Sequence, residues 1–339
     1  MSISAFIEAC FERGEQGFQR SDAKCFQFGP FQLEHRGLGQ ASLSFFHLAV
    51  AHLERSTNPN PDFIVYTIDA QETGLFLPKP CWDWKEVDGF GVIKAFTEQG
   101  FYADYQFDFD TFTLIDTKQR RALQWSKSVS KLPEWERSFP FRKMLYHFTK
   151  ETDCLMLHAG AVGTAQGGVL LAGAGGSGKS SSTLACLGSD LLYAGDDFVL
   201  LDVAANRVHS LYNVAKLDEK GIKLFPRLEP YLFNRDKMPE QKGQVFLWNH
   251  FPEQLVSSFS LTYILLPKFS GKADTRLFPA SSADALRALA PSTLGLLKAD
   301  EHYFAKIANA IRKWPSYHFQ TGTELEQIPL SILNLLKTQ

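Results

Sequence analysis

The chain has 339 residues, 45% hydrophobic and 21% charged, with 29 phenylalanines, so it holds a sizeable core in one large or two ordinary domains, and disorder is not expected. Lys and Arg (35) nearly balance Asp and Glu (37), a net charge of −2 that argues against a nucleic-acid surface and makes any phosphate site a local one. Five scattered cysteines without a C-x-x-C pair, no basic-plus-apolar leader and no apolar run approaching about 18 residues lead to the expectation of a cytoplasmic chain without a membrane span.

Ser2 or Ser4 caps a short helix with Phe6, Ile7, Cys10 and Phe11 on one side. Residues 41–53 are apolar but fit neither the helical nor the strand period. Residues 56–62, with Pro59 and Pro61, read as a turn, and residues 63–68 as a strand. Residues 101–108, 111–116 and 121–126 alternate between polar turns, which suggests an antiparallel meander. Asp104, Asp108, Asp110 and Asp116 lack the spacing of a calcium loop and read as solvated strand faces. Pro140 suits the first turn of a helix presenting Phe141, Leu145 and Phe148 on one face. The expected boundary lies near residue 128, between a mostly-β (α+β) domain over 1–128 and an α/β nucleotide-binding domain over 129–339.

Residues 155–162 read as a strand, turned at 163–167 into a second apolar strand, 168–172. It feeds Gly173-Ala174-Gly175-Gly176-Ser177-Gly178-Lys179-Ser180, which fits the P-loop pattern G-x-x-x-x-G-K-[ST]. Glycines let backbone N–H groups turn inward around a phosphate, and the following helix, ending at Gly188, points its positive end at the same anion. Lys179 would reach the outer phosphates and the Ser180 hydroxyl would ligate Mg²⁺. The nucleotide-binding set is Gly173, Ala174, Gly175, Gly176, Ser177, Gly178, Lys179, Ser180 and Ser181.

Leu191-Leu192-Tyr193-Ala194-Gly195-Asp196-Asp197 has the form of a Walker B strand, only seventeen residues from Lys179 to Asp196. Sites in open sheets lie beyond the carboxyl ends of the strands, so Lys179, Ser180, Asp196 and Asp197 should converge. Adjacent residues of a strand face opposite ways, so one aspartate would hold Mg²⁺ and the other would face a phosphoryl acceptor. Further on, residues 198–203 and 207–212 read as paired strands, and 261–266 as a strand ended by Pro267. Ser281 with Asp284 makes a capping-box-like start to the next helix, a helical stripe runs from Tyr303 to Trp314, and residues 328–336 form a last helix.

The order His158-Ala159, Gly168-Val169-Leu170-Leu171-Ala172-Gly173, Gly178-Lys179-Ser180, Gly195-Asp196-Asp197 resembles the catalytic domain of HPr serine kinase/phosphorylase, whose compact P-loop fold is shared with ATP-dependent phosphoenolpyruvate carboxykinase. It is more similar still to HPr-kinase-related proteins of peptide-modification systems, including lasso-peptide kinases. That likeness runs from Leu132 to Leu336 and takes in Trp135-Glu136, Lys216-Leu217, Ala285-Leu286 and Ala290-Pro291-Ser292-Thr293. The resemblance implies that Ser180 and Asp196 form the Mg²⁺ site, that Asp197 is the general base for a serine hydroxyl, and that His158 tunes its proton affinity. One departure is plain: the Glu-Ile-Arg-Gly type signature expected after the aspartates is replaced by Asn213-Val214-Ala215-Lys216-Leu217-Asp218-Glu219-Lys220-Gly221. Lys216, and after it Lys242, become candidate phosphate or substrate contacts, and the basic residues between them a candidate lid or acceptor loop.

The expectation is an ATP- and Mg²⁺-dependent kinase with Asp197, Lys179 and His158 as catalytic residues, acting on a serine of a peptide or small protein, with oligomers open and neither nucleic acid nor membrane as partner. A small-molecule kinase on the same fold, or an ATP-binding partner protein that does not catalyse, are the alternatives.

Overall fold

The computed structural model describes residues 1–19, 23–56 and 58–338, and it is a mixed α/β protein with several sheets. The chain divides into two compact units, Met1–Phe148 and Thr149–Gln339. The division falls later than residue 128 because the helix Arg142–Thr149 buries Phe148, stacked 4.3 Å from Phe63, in the first unit.

In the first unit the helix Ile3–Glu15, capped by Ser2, buries Phe6, Ile7, Cys10 and Phe11, as the apolar spacing requires. Seven strands follow: β1 (Ala23–Phe28), β2 (Phe31–Leu38), β3 (Glu54–Arg55), β4 (Phe63–Asp69), β5 (Tyr102–Gln106), β6 (Thr111–Asp116) and β7 (Arg121–Ser126). Their order is β3-β1-β2-β4-β7-β6-β5. The meander β5-β6-β7 is antiparallel, but β4 joins β2 and β7 in parallel, so the sheet is mixed. Residues 41–53 resolve into the helix Gln40–His47 and the 3-10 turn Leu48–Leu53. Of the turn at 56–62, Thr57 lies outside the described residues. The phenylalanine richness fills this core: Phe6 meets Trp82, Phe96 and Phe112 edge-on, and Phe46 stacks on Phe141.

Two expectations are corrected here. Asp104 and Asp116 are not solvated but buried, because Lys143 reaches Asp104 at 2.5 Å and Arg121 reaches Asp116 at 3.4 Å. The helix beyond Pro140 begins only at Arg142, since Phe141 adopts a positive φ of 60° that no helix accepts.

The second unit contains β8 (Cys154–Leu157), β9 (Gly160–Gly163), β10 (Gly168–Leu171), β11 (Leu192–Gly195), β12 (Val199–Asp202), β13 (Arg207–Ser210), β14 (Val214–Leu217), β15 (Gly243–Phe246), β16 (Ser258–Phe269), β17 (Arg276–Ala280) and β18 (Ser316–Thr321). Nine form one sheet, β11-β9-β10-β16-β13-β12-β8 with β18 on β16 and β17 on β18, while β14 and β15 make a separate hairpin. The expected strand over 155–162 is two strands, interrupted at His158-Ala159. The interruption has a register: β8 pairs with β12 up to Leu157↔Val199, and β9 resumes with β11 at Ala161↔Gly195, where the same antiparallel alignment continues. Residues 158–160 and 196–198 thus face each other across a gap in one ladder, and that gap houses the site.

The strand expected to stop at Pro267 runs through it to Phe269. Leu265 gives its carbonyl to Ala172 on the β10 side, whereas Ile264 donates toward Pro315 on the β18 side. Pro267 therefore turns its missing N–H to the side where β10 has already ended, and no ladder bond is lost.

Candidate functional site

β10 is buried along its whole length and delivers the chain to the loop 173–180. Gly176 and Gly178 take positive φ values of 79° and 103°, which turn the backbone into a cradle that a side chain would strain. Ala174, Gly175 and Gly176 are exposed, so the loop opens outward. The helix Lys179–Ala185 follows directly, and Ser180 and Ser181 stand half-buried in its first turn.

Lys179 is buried, its ammonium donating to the carbonyls of Gly173 at 2.6 Å and Ala174 at 3.3 Å. Burial lowers its pKa, partly opposed by Asp197 and Asp196, which tells that both carboxylates lie close by. The Ser177 hydroxyl, inside the same loop, is buried without a partner.

Asp196 is 2% exposed. Its Oδ1 lies 2.9 Å from the Thr183 hydroxyl, while Oδ2 is buried with no hydrogen-bond partner. Burial, then repulsion by Asp197, pushes its pKa up; the Ser180 and Thr183 hydroxyls pull it partly back. A carboxylate with one oxygen unpartnered, near enough to Ser180 for that hydroxyl to favour its ionised form, suits a hard cation that keeps several waters and shares phosphate oxygens, so Ser180 and Asp196 fit Mg²⁺. Among the described residues no cluster of three or more His, Cys, Asp or Glu side chains is present to hold a metal without a phosphate ligand.

Asp197 has the opposite environment. Burial pushes its pKa up, but hydrogen bonds from His158 (Nε2 to Oδ1, 3.3 Å) and Lys216 (Nζ to Oδ2, 2.8 Å) outweigh it and hold the carboxyl well below the usual range. His158 donates through Nε2, which leaves Nδ1 buried and unpartnered; its ring lies 5.3 Å from Phe198. Its backbone N–H donates to the Thr293 hydroxyl at 3.0 Å, so the helix Ser282–Leu297 anchors the break in the ladder. Lys216 comes from β14: Ala215 and Leu217 join the core that includes Leu184 of the P-loop helix, and the alternate residue faces the carboxylate.

The structure thus brings together Lys179, Ser180, Asp196, Asp197, His158 and Lys216. Lys242 is exposed, with its charge felt at Lys179. The basic cluster 220–237 is partly committed elsewhere: Arg227 donates to the carbonyls of Leu184 and Leu187 at the end of the P-loop helix, and Arg235 pairs with Glu229. Two contributors were given no role from the sequence, although Thr293 lies in the Ala290-Pro291-Ser292-Thr293 stretch of the resemblance. Thr183 stands three residues after Ser180, a spacing that shares one helix face and was available as a signal. Thr293 reaches His158 across 135 residues, for which no local signal exists. Gly160 is also part of the site's construction: a Cβ there would meet Thr183 Cγ2 at 2.5 Å, so only glycine lets β9 lie against the P-loop helix.

No protein-family model matches the chain, and no curated protein does. Among solved structures it is similar to the Hpr(Ser) kinase/phosphatase from Coxiella burnetii, at 13% identity over 54% of this chain and 95% of that chain, with a TM-score of 0.27. A likeness of that grade carries no argument, and the site stands on its own residues. No helix among the described residues is long and apolar enough to cross a membrane.

Proposed function

We propose that the second unit is an ATP- and Mg²⁺-dependent kinase domain of the HPr kinase type, which transfers the γ-phosphate to a hydroxyl, that of a serine on a peptide or small protein. The observation that carries this reading is the unequal aspartate pair at the P-loop: Asp197 held ionised by His158 and Lys216, and Asp196 buried with a free oxygen beside Ser180. A phosphate cradle alone binds nucleotide; a phosphate cradle with a separately held ionised carboxylate has a group to receive a proton.

The backbone of residues 175–179 cradles the β-phosphate, and Lys179 exchanges its two carbonyl partners for phosphate oxygens. Ser180 and Asp196 would hold Mg²⁺, which neutralises charge across the phosphates. Asp197 accepts the proton of the attacking hydroxyl as the phosphoryl group moves. His158 orients that carboxylate, and Lys216, already at its other oxygen, is placed to meet the phosphoryl group that arrives beside it. The motif order His158, residues 173–180, Asp196-Asp197 is what the same assignment calls for, while the altered signature around Lys216 leaves HPr itself without support as the acceptor.

Purified chain incubated with γ-labelled ATP and Mg²⁺, with and without candidate peptides and small proteins, tests this. Label on a serine that disappears with Asp197→Asn is the expected result. Tight ATP binding with no transfer to any acceptor, and an Asp197→Asn variant indistinguishable from the parent, would sink it in favour of a non-catalytic nucleotide-binding role. Transfer to a small alcohol instead would keep the chemistry and replace the acceptor.

A further inference from the structure

β10 and its parallel neighbours do not end level. Leu171 closes β10 opposite Leu265 of β16, but β16 continues to Phe269 and β18 keeps pace to Thr321. Residues 266–269 therefore overhang the phosphate loop on one flank. The aspartates lie on the other, beyond the end of β11, which is separated from β10 by β9. A nucleotide whose outer phosphates face Asp196 and Asp197 runs out of the cradle toward the overhang.

Strand alternation says which face of the overhang it meets. Tyr263 and Leu265 of β16, with Tyr317 and Phe319 of β18, pack in the core that includes Leu184 of the P-loop helix. Side chains two residues on share that face, so Phe269 and Thr321 belong to it as well. Thr321 bears this out: its hydroxyl lies 4.0 Å from where a Cβ on Gly178 would stand. Phe269 is its direct register partner, yet Thr321 is 4% exposed and Phe269 is 61% exposed. A lone exposed phenylalanine needs no explanation. This one stands on the P-loop face, one strand position from a residue that touches the loop's surroundings, on the side where the base emerges.

We propose that Phe269 is the platform on which the nucleobase stacks, with Thr321 lining the path between base and phosphate loop. The proposal rests on the reading of residues 173–180 as a nucleotide cradle and not on any transfer reaction. Every base has a π-face, so a stacking platform takes purines generally, and its loss by alanine substitution weakens binding by roughly ten- to a hundredfold.

Calorimetric titration of the full chain with ATP and with inorganic tripolyphosphate, both with Mg²⁺, tests it. Phe269→Ala should weaken ATP by roughly tenfold or more and leave tripolyphosphate, which has no base, unchanged; Phe269→Tyr should restore ATP. The proposal is overturned if Phe269→Ala binds ATP as the parent does, or if it loses both ligands equally. It is overturned with the cradle intact if the parent holds ATP no more tightly than tripolyphosphate. A parent that binds neither ligand ends the cradle and the platform together.

Discussion

The two units bury charge in different ways. Among the described residues of the first, five buried acids have a partner suited to them: Glu34 takes Arg36 at 2.6 Å, Asp69 accepts from the backbone of Glu72 and Val129, Asp104 takes Lys143, Asp116 takes Arg121, and Glu134 takes Arg137 at 2.9 Å. The buried side-chain atoms left unpaired there, on Gln32, Ser42, Trp82 and Ser138, are neutral. In the second unit, among the described residues, Asp196 Oδ2 is a buried carboxylate oxygen without a partner, and the Lys179 ammonium donates to carbonyls of its own loop. Unpaired buried charge is costly, and under the proposed function the open carboxylate oxygen is the one a bound cation would satisfy.

The sharpest way to break that contrast is Asp197→Asn. Phosphoryl transfer should fall by roughly 10²–10⁴-fold, while the urea midpoint moves little, because losing the contact with Lys216 is offset by relief of the repulsion on Asp196. A large loss of stability would place Asp197 with the structural acids of the first unit instead.

The next effect belongs to the first unit, where the buried histidines are neutral. Burial lowers His47 to about 4 and His52 to about 3, from an unfolded value near 6.5. Between those values the unfolded chain binds the protons and the folded chain does not, so stability is complete above pH 6.5 and is lost as pH falls toward 4. His47 alone accounts for about 3 kcal/mol of that loss. Urea unfolding followed across this range should show it, and His47→Gln should flatten the slope; a flat profile in the parent would show that the ring is hydrated.

Smaller effects sharpen the comparison. Asp104→Asn should cost about 2 kcal/mol in urea unfolding, less than a fully enclosed pair because Lys143 is about a third exposed, at 34%. Thr183→Val removes the hydroxyl on Asp196 and should cost about 1 kcal/mol, together with a changed Mg²⁺ dependence of ATP binding. Stability altered without any change in that dependence would separate Thr183 from the proposed Mg²⁺ site.

The parts of the site that are local in the chain were legible in advance. The loop 173–180, its flanking strand and helix and the Asp196-Asp197 pair follow from composition and short spacing, because a phosphate cradle is built from consecutive backbone N–H groups and needs its glycines at fixed offsets. The surface helix, the meander and the capping box at Ser281 were legible for the same reason. Less so were the extent of β16 past Pro267 and the burial of Asp104 and Asp116. The first depends on where a neighbouring strand stops, and the second on cations supplied by other elements.

By itself, then, the sequence determined a loop of the phosphate-cradle pattern and two acids a short helix away. Only the tertiary structure decided what those acids are. Asp196 and Asp197 are chemically identical and adjacent, and they differ because a gap in one antiparallel ladder turns the second toward His158 and Lys216 and leaves the first under Thr183 with an oxygen to spare. Proton affinity is set by burial and by which charges stand within a few ångströms, and those neighbours arrive from strands far apart in the chain.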